Sequence, residues 1–116
     1  EQAIEDAKEN ARLNGVENAE FFAGDVEKVF DKLIKEKQAF PDVVIVDPPR
    51  KGLDGNTVNT LLALEPKKVV YISCNPATMI RDLKLLGEKF ECFEIQPVDM
   101  FPFTSHVECV VVMSLK

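Results

Sequence analysis

The fold is decided by a strand-to-helix junction near the middle of the chain, Val69-Val70-Tyr71-Ile72-Ser73-Cys74-Asn75-Pro76. The apolar run predicts a buried strand over Lys68–Ser73, and Asn75 and Pro76 are favourable N-cap and first residues of a helix. Cys74 therefore lies where a strand ends and a helix begins. The positive end of a helix dipole favours the thiolate form of a nearby cysteine, so this position suits a reactive thiol.

The helix after the junction is predicted from its apolar spacing. Residues 77–86 place apolar side chains on one helical face, and Gly87 can end the helix. The side chains expected on that face are Met79, Ile80, Leu83 and Leu86.

Helices and strands alternate along the rest of the chain. The expected helices are Glu1–Asn14, a helix capped by Asp25, and Asn56–Leu64, and the expected strands are Glu20–Ala23, Val43–Val46, Phe90–Val98 and His106–Leu115. This alternation implies an α/β protein with a mostly parallel sheet, in which the wholly apolar Val43–Val46 should be buried on both faces. The last two strands are joined by a loop too short for a crossover helix, so they should be antiparallel.

Composition limits the classes of protein to which the chain can belong. Its 116 residues suit one compact domain. Three cysteines and one histidine are too few for a disulfide scaffold or a zinc cluster, and they suit a reducing, cytoplasmic setting. No apolar stretch approaches the roughly 20 residues of a membrane span. A net charge of -6 has the wrong sign for a free-standing nucleic-acid binder.

Three separate segments should bring polar side chains to one edge of the predicted sheet. Asp47 follows the strand Val43–Val46, and Cys74 follows Lys68–Ser73. Parallel strands end at the same edge, where open α/β folds bind ligands. The final strand runs the other way, so its beginning, with His106 and Glu108, lies at that edge too.

Each of these side chains also has a purely structural interpretation. Cys74 could be a small buried hydrophobe, Asp47 could start the turn before two prolines, and Glu108 could point outward at a strand start. If Glu108 is instead buried in its apolar strand, it needs a partner or a chemical role, because a buried carboxylate is costly. His106 is most simply a strand-start residue. Three nearby basic side chains could form a local patch or solvated surface: Arg50, Lys51 and Arg81.

Three segments of the chain together resemble the RNA uracil-5-methyltransferases, the S-adenosylmethionine-dependent family that makes 5-methyluridine in transfer and ribosomal RNA. They are Asp47-Pro48-Pro49-Arg50-Lys51-Gly52-Leu53, Ser73-Cys74-Asn75-Pro76-Ala77-Thr78 and Asp99-Met100-Phe101-Pro102-Phe103-Thr104-Ser105-His106-Val107-Glu108. The first segment alone is weak, because Asp-Pro-Pro turns also occur in amino-methyltransferases. The second and third together are highly specific, and the resemblance runs essentially from end to end.

The resemblance implies a role for individual residues. Cys74 matches the nucleophile that adds to carbon 6 of uracil, and Glu108 matches the base that removes the carbon 5 proton. Ring saturation needs a soft nucleophile, and recovery of the ring needs a base. The implied contacts with S-adenosylmethionine come from Asp47 and Asp25, and those with the RNA substrate from Pro48, Arg50 and Asn75.

The resemblance also implies an overall architecture. We expect a Rossmann-like class I methyltransferase sheet that is incomplete in its N-terminal half, with residues 1–116 forming the C-terminal portion of the catalytic domain. The first two strands, the glycine-rich cofactor loop between them and the RNA-binding regions would then be absent. Such a fragment is expected to be inactive alone and to self-associate through exposed sheet edges.

Two other functions stay open at the level of the sequence. Asp-Pro-Pro would also suit a methyltransferase acting on another nucleobase or on an exocyclic amine, although that activity does not explain Cys74 with Glu108. A non-enzymatic α/β module that binds a partner would suit a chain with no glycine-rich loop after any predicted strand.

Overall fold

A computed structural model describes residues 1–37, 40–100, 102–103 and 107–116. Its helices are Gln2–Leu13 (α1), Val26–Lys37 (α2), Gly55–Leu64 (α3) and Pro76–Leu86 (α4), and its strands are Val43–Val46 (β1), Lys68–Ser73 (β2), Phe90–Val98 (β3) and Glu108–Leu115 (β4). The chain forms two compact units, Glu1–Ala39 and Phe40–Lys116. We call them the N-terminal unit and the C-terminal unit.

The N-terminal unit contains the first two helices. Asp25 caps α2 as predicted, since its Oδ1 accepts a hydrogen bond from the Glu27 amide at 3.2 Å. The predicted strand over Glu20–Ala23 is wrong, because these residues are not a strand in the structure. A strand needs a neighbour that completes its ladder of hydrogen bonds. Every pairing of the observed sheet lies within residues 43–115.

The C-terminal unit is built on a four-stranded sheet with the order β1-β2-β4-β3. β1 and β2 are parallel, whereas β4 lies between β2 and β3 and is antiparallel to both. The prediction of a mostly parallel sheet with an antiparallel final strand is therefore confirmed. β4 begins at Glu108, and the predicted start at His106 lies outside the described residues.

One face of this sheet and the two helices α3 and α4 enclose the core. Alternate residues of β2 and β4 are buried, as expected when side chains point to opposite faces in turn. The buried apolar side chains are Val44, Val58, Leu61, Val69, Tyr71, Met79, Leu86, Phe90, Cys109, Val111 and Met113.

Two predictions about burial are wrong. Val43 and Ile45 are 49% and 66% exposed, because only the face of β1 that carries Val44 is buried. On α4, Ile80 is 51% exposed, and the buried positions are Met79, Asp82 and Leu86. Steps of three and four residues keep those three on one side of the helix, whereas Ile80 is turned about 100° away from Met79.

Two adjacent leucines of α4 test this account of the core. Leu86 is fully buried and Leu85 is 51% exposed. Leu86→Ala should lower the free energy of unfolding by about 2–5 kcal/mol, because it leaves a cavity in a packed core. Leu85→Ala is the matched control and should change it by less than about 0.5 kcal/mol. Urea denaturation of both variants measures the difference, and equal losses would contradict the burial pattern.

Candidate active site at the carboxyl edge of the sheet

The strand register brings the predicted site residues of the C-terminal unit to one edge. Val46 lies opposite Tyr71 in the parallel pair, so Asp47 follows β1 beside the last residues of β2. Ser73 lies opposite Cys109 in the antiparallel pair. Cys74, the residue after β2, and Glu108, the first residue of β4, therefore adjoin the last pair of that ladder.

These three side chains differ in their access to solvent. Asp47 is exposed, and Cys74 and Glu108 are half-buried. Glu108 is neither fully buried in its strand nor fully exposed. Its burial therefore matches neither the catalytic interpretation nor the purely structural one completely. Cys109, which follows Glu108, is buried. Burial raises the pKa of the Cys109 thiol, so Cys109 is a poor nucleophile.

The turn that carries Cys74 is held by the two residues beside it. The Ser73 hydroxyl donates to the Asn75 carbonyl at 2.9 Å and accepts from the Asn75 amide at 3.0 Å. Asn75 caps α4 as predicted, because its Oδ1 accepts from the Ala77 amide at 3.1 Å. The thiol therefore lies on a fixed strand-to-helix junction.

The segment 50–53, which we call the Arg50–Leu53 loop, is fastened to the start of α4. The Arg50 carbonyl accepts hydrogen bonds from the side-chain Nδ2 of Asn75 at 3.1 Å and from the Thr78 hydroxyl at 2.8 Å. The Arg81 guanidinium donates to the Lys51 carbonyl at 2.8 Å. The loop that follows Asp47 is thus tied to the helix that follows Cys74.

A buried carboxylate completes this attachment. Asp82 is fully buried, and its Oδ2 accepts from the Tyr71 hydroxyl at 2.6 Å and the Leu53 amide at 2.8 Å. Its Oδ1 accepts from the Arg81 guanidinium at 2.9 and 3.1 Å. Burial, followed by the hydrogen bond to Asp82 and the charge of that carboxylate, raises the pKa of the Tyr71 hydroxyl well above its usual value.

Gly52 lets the loop approach this network closely. Its φ of +81° lies in the region that favours glycine. A Cβ at this position would lie 2.5 Å from an oxygen of Asp82 and 2.6 Å from a nitrogen of Arg81. Any larger residue would therefore push the loop away from α4.

The sequence predictions about these residues are partly revised. Arg81 bridges α4 and the Arg50–Leu53 loop, whereas one interpretation from the sequence was that it is solvated surface. Asn75 uses both ends of its side chain within the fold, and its contact with substrate stays a prediction. Asp82 and Ser73 were missed. An aspartate in helical register with Met79 and Leu86 was the signal that could have revealed the buried carboxylate.

The remaining predicted residues lie around this edge or outside it. Pro48 is half-buried and Arg50 is exposed, both on the segment after β1. Asp25 belongs to the N-terminal unit, where it caps α2. Across the described parts of the chain, no group of three or more His, Cys, Asp or Glu could hold a metal ion, and no helix is long and apolar enough to cross a membrane.

Helices on an α/β sheet whose final strand is antiparallel are typical of the Rossmann-like methyltransferases. The solved structure of one methyltransferase matches this chain. The tRNA (uracil-54, C5)-methyltransferase of Pyrococcus abyssi, in complex with S-adenosyl-L-homocysteine, superposes with a TM-score of 0.80 at 41% identity. The match covers 96% of this chain and 26% of that one.

Comparison of the sequences assigns the family. A profile of the tRNA (uracil-5-)-methyltransferase family matches residues 2–116, and the chain belongs to that family. It is 53% identical over 116 residues to an uncharacterized RNA methyltransferase of Oceanobacillus iheyensis, covering 99% of this chain and 25% of that protein. It is 57% identical over 114 residues to one of Bacillus cereus, covering 97% and 25%. The chain thus spans about a quarter of the length of these curated relatives.

Two glycines at the edge of the site test the close approach of the loop. Gly52→Ala should lower the free energy of unfolding by about 1–3 kcal/mol, because it combines a positive φ with contacts that are too close. Gly55→Ala is the matched control, since nothing lies within 4 Å of its Cβ position. At the first residue of α3 it should be neutral or stabilise by up to about 1 kcal/mol. Thermal unfolding distinguishes the two, and a harmless Gly52→Ala would contradict the geometry.

Proposed function

We propose that the protein containing this chain transfers a methyl group from S-adenosylmethionine to carbon 5 of a uridine in tRNA or rRNA, through a covalent adduct between Cys74 and uracil. One observation carries the proposal: Cys74 follows Ser73 and Glu108 precedes Cys109, and Ser73 and Cys109 are the last pair of the β2–β4 ladder. Family membership and the likeness to a tRNA uracil methyltransferase support it.

Cys74 is proposed to start the reaction. Its thiolate forms a bond to carbon 6 of uracil, and the electron pair of the 5,6 double bond moves toward carbon 5 and the carbonyl at carbon 4. Carbon 5 then has enolate character and can attack an electrophilic methyl group. Cys74 is half-buried in a turn that hydrogen bonds hold, so it is partly accessible and fixed in position, which suits a nucleophile.

Glu108 is proposed to complete the reaction. Its carboxylate takes the proton from carbon 5 after methylation. The electron pair of that carbon–hydrogen bond restores the 5,6 double bond, and the bond between sulfur and carbon 6 breaks. Cys74 leaves as the thiolate that began the reaction, Glu108 holds the proton, and the product is 5-methyluridine.

Asp47 and Asp25 are proposed to form part of a site for S-adenosylmethionine. When bound, this cofactor would supply a methyl group attached to a positively charged sulfur; the bond between that sulfur and the methyl carbon would break, and the neutral thioether S-adenosylhomocysteine would leave. Asp47 offers an exposed carboxylate at the edge where α/β sheets bind ligands, which suits the cofactor's cationic and hydrogen-donating groups. Asp25 is proposed to lie near the adenine, by analogy with related methyltransferases, in addition to its capping role.

RNA binding is proposed to depend mainly on other parts of the whole protein. A target uracil must leave its stack to reach the Cys74 thiol, and Pro48, Arg50 and Asn75 are proposed to contact it there. The net charge of -6 leaves the phosphate contacts to other regions. Residues 1–116 are accordingly proposed to be the C-terminal portion of the catalytic domain.

Trapping on modified RNA tests the mechanism in the whole protein. With RNA containing 5-fluorouridine, the wild type should form a stable protein–RNA adduct, because fluorine at carbon 5 cannot be removed as a proton. Cys74→Ala should abolish the adduct and lower methylation at least about 10³-fold. Cys92→Ala, at an exposed cysteine of β3, is the matched control and should leave both unchanged.

A second substitution separates the role of the base from that of the nucleophile. Glu108→Gln should slow turnover by roughly 10²–10⁴-fold and let an adduct accumulate on unmodified RNA, since proton removal fails after the adduct has formed. Denaturing gels and mass spectrometry measure both. Methylation that persists in Cys74→Ala would contradict the proposal, and methylation of an amine without any adduct would support the alternative substrate class.

A further inference from the structure

The proposed reaction makes no use of Asp82, yet this is the one buried charged side chain among the described residues. Burial of a carboxylate is costly unless hydrogen bonds compensate for lost water. Asp82 accepts four, from the Tyr71 hydroxyl, the Leu53 amide and two nitrogens of Arg81. These donors come from β2, from the Arg50–Leu53 loop and from α4, so one side chain joins three segments.

The loop side of this network is built in detail. Arg81 donates to the carbonyls of Lys51 and Leu53 at 2.8 and 3.3 Å while it pairs with Asp82. The Leu53 amide donates to Asp82 itself. Gly52 is the residue with no side chain to obstruct this approach. Arg81 is half exposed, but its Nε and Nη2 atoms both donate hydrogen bonds.

The connectivity links this network to the proposed chemistry. The loop begins three residues after Asp47, and α4 begins two residues after Cys74. We propose that Asp82, acting with Arg81, is a positioning residue that fixes the Arg50–Leu53 loop on α4 and so sets Asp47 and Pro48 relative to Cys74. This inference rests on the proposed function for its catalytic consequence, but not for the attachment itself.

A role in stability alone would not require this arrangement. An apolar side chain of similar volume often replaces a buried ion pair with no loss of stability. The Tyr71 hydroxyl contributes to the core only, whereas the Leu53 and Arg81 contacts reach the loop. Variants can therefore separate the two roles.

The first test measures the loop without any enzyme activity. Arg81→Ala and Asp82→Asn should raise amide hydrogen exchange in residues 50–53 at least tenfold, because the first removes the hydrogen bonds to the Lys51 and Leu53 carbonyls and the second weakens the acceptor of the Leu53 amide. Tyr71→Phe is the matched control, since it loses a hydrogen bond to the same carboxylate but none to the loop, and should stay within twofold of wild type.

Trypsin gives a second readout at a single bond. The carbonyl of the Lys51–Gly52 bond is held by Arg81, whereas the carbonyl of the Arg50–Lys51 bond is held by Asn75 and Thr78. Arg81→Ala should therefore speed cleavage after Lys51 at least tenfold and cleavage after Arg50 much less, as measured by mass spectrometry. Arg81 is half exposed, so this variant should fold even if Asp82→Asn does not.

The catalytic consequence is measured in the whole protein. At saturating RNA, Arg81→Ala should slow adduct formation with 5-fluorouridine RNA by about 10–100-fold, as expected for a misplaced site, while Tyr71→Phe stays within about twofold. Arg81→Lys keeps the charge but not the fork, and should recover only part of the rate.

The outcomes separate the two proposals. Loop exchange and cleavage equal to those of Tyr71→Phe would overturn the attachment, and an open loop with an unchanged adduct rate would overturn the positioning role. If the wild type forms no adduct and methylates no uracil, the proposed function fails. The positioning role of Asp82 in that reaction then fails too. Amide hydrogen exchange in residues 50–53 and trypsin cleavage after Lys51 still test whether Asp82 and Arg81 attach the loop to α4.

Discussion

The buried carboxylate of Asp82 is the interaction on which the arrangement of the C-terminal unit depends. It binds the only tyrosine of the chain, in β2, the amide that ends the Arg50–Leu53 loop, and the guanidinium of Arg81. Within the described residues, every buried side-chain nitrogen or oxygen has a hydrogen-bond partner. A charge that is fully compensated in this way fixes geometry, because moving any one segment would leave it partly unpaired.

The order of the strands supplies the other constraint. Because β4 is inserted between β2 and β3 and runs opposite to both, its first residue arrives at the edge where β1 and β2 end. A carboxylate at the start of β4 thereby lies at the same edge as the thiol that follows β2. The Ser73 hydroxyl holds the turn beyond β2 through both backbone groups of Asn75, which keeps Cys74 at that edge. Topology sets the pair and local hydrogen bonds refine it.

Much of this was predictable from the sequence, because local signals and tertiary packing agree there. Both strands of the parallel pair and the caps at Asp25 and Asn75 follow from patterns a few residues long, and the shared edge of Asp47, Cys74 and Glu108 follows from the alternation of helices and strands. The failures share a physical cause. Whether Glu20–Ala23 pairs, or whether Ile45 is covered, depends on distant neighbours that no local pattern specifies. Asp82 was missed because a buried charge contradicts its residue type until its partners are known.

Ionisation of Tyr71 tests the central claim most directly, because the chain has one tyrosine and no tryptophan, so the phenolate absorbance reports this network alone. Burial and the bond to Asp82 raise the pKa of the hydroxyl, so the folded chain should form no phenolate at the ordinary tyrosine pKa of about 10. Ionisation should appear only at higher pH, together with loss of the circular dichroism of the folded state. A reversible titration centred near pH 10, with the fold intact, would contradict the account.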